Sequence, residues 1–401
     1  MTILSYSLLV LIVASALPLR QTRSHAFESC VDGNAVYNVL GYGAIGDGRT
    51  DDTEAFMNAW EDACTTAACS ATMLVPSDKS FQIQPVTFRG NCLSNVNFQP
   101  VEWSCHEDEC REWIVFKQAD GLTIHGSGTI NGRGSSWWKY CREHEHEKLC
   151  NRRAAGLTIA NSQNIVLSNL HFKDSPQVHI DLDASTSIHV YNITINASKR
   201  SPNTDGIHVK HCQNVSIDSS SIRTGDDCIS IGDGASYMNI SRIHCGPGHG
   251  ISIGSLGKGG KFETVEYINV RDVVFHGATN GVRIKTWQGG RGHVRYVNFE
   301  QIRATNTDNP IIIDQYYCPY QHCHNQNDAV QVSDISYDSI FGTSRTRRAV
   351  VLDCSETVPC TNIKLRNVNL VHAKHGRTEA RCVNVRGHID GYVHPRVSCL
   401  S

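Results

Sequence analysis

"NVSIDSSSIRTGDDCISIG", from Asn214 to Gly232, carries both a fold signal and a puzzle. Its first half alternates, with Val215 and Ile217 apolar and Ser216 and Asp218 polar. A period of two marks a strand with one buried face. Its second half sets Asp226 beside Asp227 in a run that is otherwise apolar or small. Adjacent carboxylates repel each other and resist desolvation. A β-rich segment needs a reason to hold them.

The alternating phrase recurs along the chain. It appears as "NIVLSNLHF" from Asn164, "SIHVYNITI" from Ser187, "YINVRDVVF" from Tyr267, "YVNFEQI" from Tyr296, "DISYDSI" from Asp334 and "NIKLRNVNL" from Asn362. The period, roughly 22 to 38 residues, is that of stacked repeats. The phrases lack hairpin turns such as Asn-Gly between paired strands, which counts against a sandwich or propeller. The expected fold is all-β: a right-handed, single-stranded parallel β-helix whose coils bury one apolar column. "DDTEAFMNAWEDAC" departs from this pattern. Ala55, Phe56, Ala59, Trp60 and Ala63 have helical spacing, and Asp51 or Asp52 can cap the start. A single N-terminal helix closing the solenoid end is expected there, shielding the open strand edge.

The 401 residues carry a formal net charge of -2, which gives no reason to expect a nucleic-acid partner. Leu8 to Leu17 has the length of a signal-peptide core and is too short to span a bilayer. Residues 1–26 read as a signal peptide and 27–401 as one catalytic domain, with no membrane association after cleavage. Seventeen cysteines without a CxxC pair suit a secreted, disulfide-bonded chain. Cys318/Cys323 and Cys354/Cys360 look like local staples, Cys245 is a plausible partner for Cys228, and the odd count leaves at least one thiol over. Sequons stand at Asn192, Asn196, Asn214 and Asn239. The His- and Glu-rich "REHEHEKLC", from Arg142, reads as a solvated charged loop rather than a metal site.

Polar residues then fall at regular offsets. Asp205, Asp227 and His249 are 22 apart, and His249, Arg283 and Tyr317 are 34 apart. With a minimal coil of about 22 residues, each group lies one coil above the last, and stacked strands about 4.8 Å apart bring all of them to one face. Carboxylates this close cannot all ionise normally, so one should keep a proton and act as acid beside a base. Arg283 and Lys285, two apart on a strand, point the same way and suit a substrate with its own carboxylates. Gly225 would let the chain bend so that both aspartates face a wet cleft. Taken singly, each signal has an ordinary reading: a turn, a solvated strand, a structural histidine.

"SPNTDGIH", "GDDCISIG", "GPGHGISIGSLG" and "RIKTWQGG" resemble, in order, the four motifs of the polygalacturonases, the pectin-cleaving glycoside hydrolases, and the wording is closest to plant members. The likeness runs from about Val36 to Cys382. It implies a parallel β-helix that hydrolyses α-1,4 bonds of galacturonan with inversion, in the extracellular cell wall, as a monomer, without cofactor or metal. Carried over, Asp226 is the general acid, Asp205 and Asp227 activate water, and His249 assists the acid. Arg283, Lys285, Tyr317 and Asn203 bind substrate, with Tyr316 an alternative to Tyr317. Two other readings are a lyase of the pectate-cleaving kind and a wall protein that binds pectin without cutting it.

Overall fold

A computed structural model describes residues 31–66, 68–90, 92, 95–98, 112–143, 154–319 and 323–401. The expected signal segment, and the charged run beyond Glu143, lie outside the described residues.

Two parallel sheets run the length of a solenoid, one of 16 strands and one of 11. Every crossover joins parallel strands, and twisted strands close such turns with a right hand. The smaller sheet positions the site. Its strands include Ile180–Asp183, Ile207–Lys210, Ile229–Ile231, Ile251–Leu256, Asn280–Thr286, Asn309–Asp314 and Arg348–Asp353. In-register partners form an inward column: Ile180, Ile207, Ile229, Ile251, Val282, Ile311 and Val350. All are fully buried. Burying each such side chain contributes roughly 1.5–3 kcal/mol relative to leaving it exposed, so the column holds the coils together.

The coils from Ile207 to Ile229 and from Ile229 to Ile251 are equal in length and minimal. Later coils are longer, as Ile251 pairs with Val282, Val282 with Ile311, and Ile311 with Val350. The extra chain is carried in connections, because the inward partners stay in register.

The recurring phrases prove to be corners as well as strands. Their first residues, Asn164, Ser187, Asn214, Tyr267, Tyr296, Asp334 and Asn362, all have positive φ, between 53° and 57°. At the far end of each phrase, Asn169, Asn192, Ser219, Asp272, Gln301, Ser339 and Asn367 do too. A left-handed residue at each end of a short alternating run turns the chain from one face to the next. The structure adds one more copy, Tyr237–Ile243, with Tyr237 and Arg242 at the same two corners.

The helix Thr53–Thr65 buries Ala55, Phe56, Ala59, Trp60 and Ala63 against the first coils, as its spacing indicates. Asp51 caps it by accepting the Thr53 amide at 3.0 Å. Asp52 sits at the N-cap position, but its carboxylate takes the loop amides of Ile45 and Gly46 instead. A second helix, Ser135–Glu143, lies further along the chain. It is short and buries only Trp138 and Cys141, too few positions to show a period.

Disulfides join Cys228 to Cys245, Cys318 to Cys323, Cys354 to Cys360, Cys64 to Cys92 and Cys382 to Cys399. Among the described residues the free thiol is the buried Cys212, pushed up to about 11 by desolvation.

Candidate active site

Asp226 and Asp227 lie where the chain enters the strand Ile229–Ile231, on the cleft side of the smaller sheet. Asp205 stands two positions before Ile207, and His249 two before Ile251, so register stacks Asp205, Asp227 and His249 in successive coils. The two equal steps read in the sequence are the steps of the coils. The two longer steps do not mean the same thing. Arg283 pairs with Ser252, three positions beyond His249, because the coil from Ile251 to Val282 is shorter than that spacing. Arg283, Lys285 and Tyr317 belong to the next coils, as expected, but are staggered along the strands.

The stagger gives the cations a partner. Arg283 Nη2 lies 2.6 Å from Asp227 Oδ1 and Lys285 Nζ 2.9 Å from Asp227 Oδ2. Ser252 Oγ donates to Asp227 Oδ1 at 2.8 Å and accepts from Arg283 Nε at 2.8 Å. Asp227 is only 1% exposed. Burial alone would raise its pKa, but the two cations and the hydrogen bonds from Lys285 and Ser252 outweigh that and pull it down to about 2. The expectation that both aspartates face water is therefore half corrected: Asp227 is buried and paired, while Asp226 faces the cleft. The cations are likewise not reserved for substrate. Arg283 commits two of its N–H donors to Asp227 and Ser252, and a bound carboxylate would use others.

Asp226 Oδ1 lies 3.0 Å from His249 Nδ1 and accepts the Asp227 amide at 2.8 Å. The hydrogen bond to Asp226 raises the His249 pKa against the opposing pull of burial. Asp205 is pushed up to about 8 by desolvation first, then by the charges of Asp226 and Asp227. Within one cluster, Asp205 is held protonated through mild acid and Asp227 ionised, so the carboxyl that burial keeps protonated is Asp205 and not Asp226.

Sequence reading missed the supports. His179 is fully buried, and burial lowers it to about 4, so it is neutral. Its Nδ1 lies 3.0 Å from the Asp205 carbonyl and its Nε2 accepts the Ser175 amide at 3.3 Å. Beneath the aspartates, Ser201, Thr204 and Thr224 share a buried hydroxyl chain, at 2.6 and 2.9 Å. The chain bends at Gly225, and glycine is needed there for close approach as well. A Cβ there would stand 2.0 Å from the Ser201 carbonyl oxygen.

Of the two tyrosines, Tyr317 is the one beside the cations. Lys285 Nζ sits 5.4 Å from the centre of its ring, which meets Trp287 edge-on at 5.5 Å. The Tyr316 hydroxyl instead accepts the Glu356 amide at 3.3 Å. Asn203 is exposed, and lines with Asp205, Asp181 and His208 a cleft of about 440 Å³. One ligand atom from each of Asp226, Asp227 and His249 lies within 4.8 Å of the others, a spacing that would admit a cation. Both Asp227 oxygens already face Arg283, Lys285 and Ser252.

A solenoid wall bearing a split acid–base cluster and a cation pair places the protein among the polysaccharide-cleaving glycoside hydrolases. The model of glycosyl hydrolases family 28 matches residues 64–399, and the chain belongs to that family. It is 40% identical to polygalacturonase-2 of Solanum lycopersicum, over 92% of this chain and 82% of that one. It is 42% identical to a probable polygalacturonase of Arabidopsis thaliana, over 90% and 80%. The fold resembles endo-xylogalacturonan hydrolase of Aspergillus tubingensis (TM-score 0.75, 23% identity, 88% of this chain and 96% of that one). It also resembles polygalacturonase of Erwinia carotovora (TM-score 0.71, 23% identity, 89% and 96%).

Proposed function

We propose that the protein hydrolyses α-1,4-galacturonosidic bonds of homogalacturonan, with inversion, in the extracellular cell wall. The observation that carries this is the buried Asp227–Arg283–Lys285 cluster beside the cleft-facing Asp226–His249 pair. Asp226 gives its proton to the leaving oxygen as the glycosidic bond breaks. Asp205 and Asp227 hold the attacking water, and Asp227, kept ionised by its cations, takes the water's proton. Between turnovers Asp227 releases its proton to solvent, and His249 takes one from solvent and passes it to Asp226. Arg283, Lys285, Tyr317 and Asn203 orient a sugar carboxylate and its ring. Secretion rests on the N-terminal apolar segment and the disulfides. No helix among the described residues is long and apolar enough to cross a membrane.

The test is incubation with de-esterified polygalacturonate at mildly acid pH, a calcium chelator present, counting reducing ends. New saturated ends are expected. Unsaturated products would favour a lyase, and binding without cleavage a pectin-binding wall protein.

A further inference from the structure

Four sequons are exposed on the solenoid, and the structure sets one apart. Asn214 occupies the first corner of its coil, with φ of 57°. Register puts Ser187 below it and Tyr237 directly above it, since Gln213 pairs with Ser236 and Val215 with Met238. Tyr237 begins a stack of three rings at the same corner. Tyr237 and Tyr267 lie 4.8 Å apart at 5°, and Tyr267 and Tyr296 lie 4.9 Å apart at 19°. The neighbours of the other sequons are polar. Asn192 lies between Asn169 and Ser219, Asn196 between Lys173 and Arg223, and Asn239 between Ser216 and Asn269.

Tyrosine is an uncommon choice here. A bulky residue with positive φ is strained, and the rest of this column is Asn, Ser or Asp. Stacking offsets the strain for Tyr267, which has a ring on each side. Tyr237 has a ring on one side only and is 56% exposed. Its other face looks down the solenoid axis onto the layer of the Asn214 side chain. A sugar linked to Asn214 would enter that layer, about 4.8 Å from the ring plane, the spacing of the stack itself.

We propose that Asn214 carries an N-linked glycan whose first sugar lays its apolar face on Tyr237, extending the tyrosine stack by one layer. This rests on the reading that the chain is secreted. The donor is a lipid-pyrophosphate-linked oligosaccharide of the secretory pathway. The bond from sugar C1 to Asn214 Nδ2 forms, the bond from C1 to the pyrophosphate oxygen breaks, and Nδ2 loses one proton. The amide hydrogen that remains can still donate to Ser187 Oγ, which Nδ2 now meets at 3.2 Å.

The full chain is expressed through a eukaryotic secretory pathway, and glycopeptides are mapped by mass. Tm is then compared for wild type, Asn214→Gln, Ser216→Ala, Tyr237→Ala and the Ser216→Ala/Tyr237→Ala double variant. Ser216→Ala removes the sequon and keeps Asn214. Glycan at Asn214 is expected. Each sequon variant should lower Tm by about 1–2 °C where Tyr237 is present, and Ser216→Ala, which leaves the left-handed Asn214 in place, should have no effect in the Tyr237→Ala background. Equal loss in both backgrounds would overturn the contact. Glycan at Asn192, Asn196 or Asn239 with Asn214 bare would overturn this inference alone. No glycan at any sequon of the secreted chain would also overturn this inference alone, and a chain that never reaches the medium would overturn it together with the secretion reading.

Discussion

Arg283 and Asp227 stand in different coils, far apart in the chain, and lie 2.6 Å apart in the structure. The contact is buried, and Asp227 has almost no exposure to water. A carboxylate in that position stays charged only because its partners are fixed by the sheet register.

Asp226→Asn should lower kcat on polygalacturonate by about 10²–10⁴-fold, the usual worth of a positioned acid. Circular dichroism and Tm should stay close to wild type, since Asp226 is partly exposed and contacts the cleft. A variant with wild-type turnover would sink the acid assignment.

Lys285→Met leaves Asp227 with Arg283 and Ser252 as partners. The Asp227 pKa should rise, so the acid limb of the kcat/KM profile should move to higher pH. Stability should fall by about 3 kcal/mol or less, because one partner of a buried pair remains. A profile unmoved on its acid side would mean that Asp227 is not the titrating base.

Stability against pH should show a plateau. Asp227 is held at about 2 when folded, so its contribution, present above the ordinary carboxylate value near 4, is lost as pH falls toward 2. Asp205 is raised to about 8, so its contribution is present at about 4 and lost as pH rises to 8. His179 is lowered to about 4, so its contribution runs the other way between about 4 and 6.5. The two oppose each other in mild acid. Tm measured in steps should stay level from about pH 4 to 6.5 and drop on both sides. A Tm that climbs steadily from pH 6.5 to 8 would contradict the protonated Asp205.

Gly225→Ala should disrupt the site's floor. The added carbon would meet the Ser201 backbone, which cannot move without disturbing the Thr204–Thr224 hydroxyl pair. A loss of several kcal/mol, or failure to fold, is expected from overpacking. Chemical denaturation with an unchanged midpoint would show that the coils can part locally.

Much of this was legible in the sequence, for one physical reason. Where coils are minimal, sequence offset equals spatial register, and Asp205, Asp227 and His249 could be stacked by counting. Where connections lengthen, counting still gives the right coil and loses the position along it, as for Arg283. The sequence also showed which residues were polar but not which polar groups satisfied one another. The capture of both cations by Asp227, and the support of Asp205 by His179, depend on side chains meeting across coils. The choice between Tyr316 and Tyr317 was hidden for the same reason. The second helix escaped because two buried residues define no period.

The corner residues have a consequence for how such a chain can change. Each coil is turned at fixed left-handed positions. Its inward column stays in step in the minimal coil from Ile207 to Ile229 and in the much longer one from Ile311 to Val350. Length can therefore be inserted between strands without shifting the floor on which Asp205, Asp226 and Asp227 stand. The length of the connections and the placement of the site are separately heritable: one can drift while the other is left as it was.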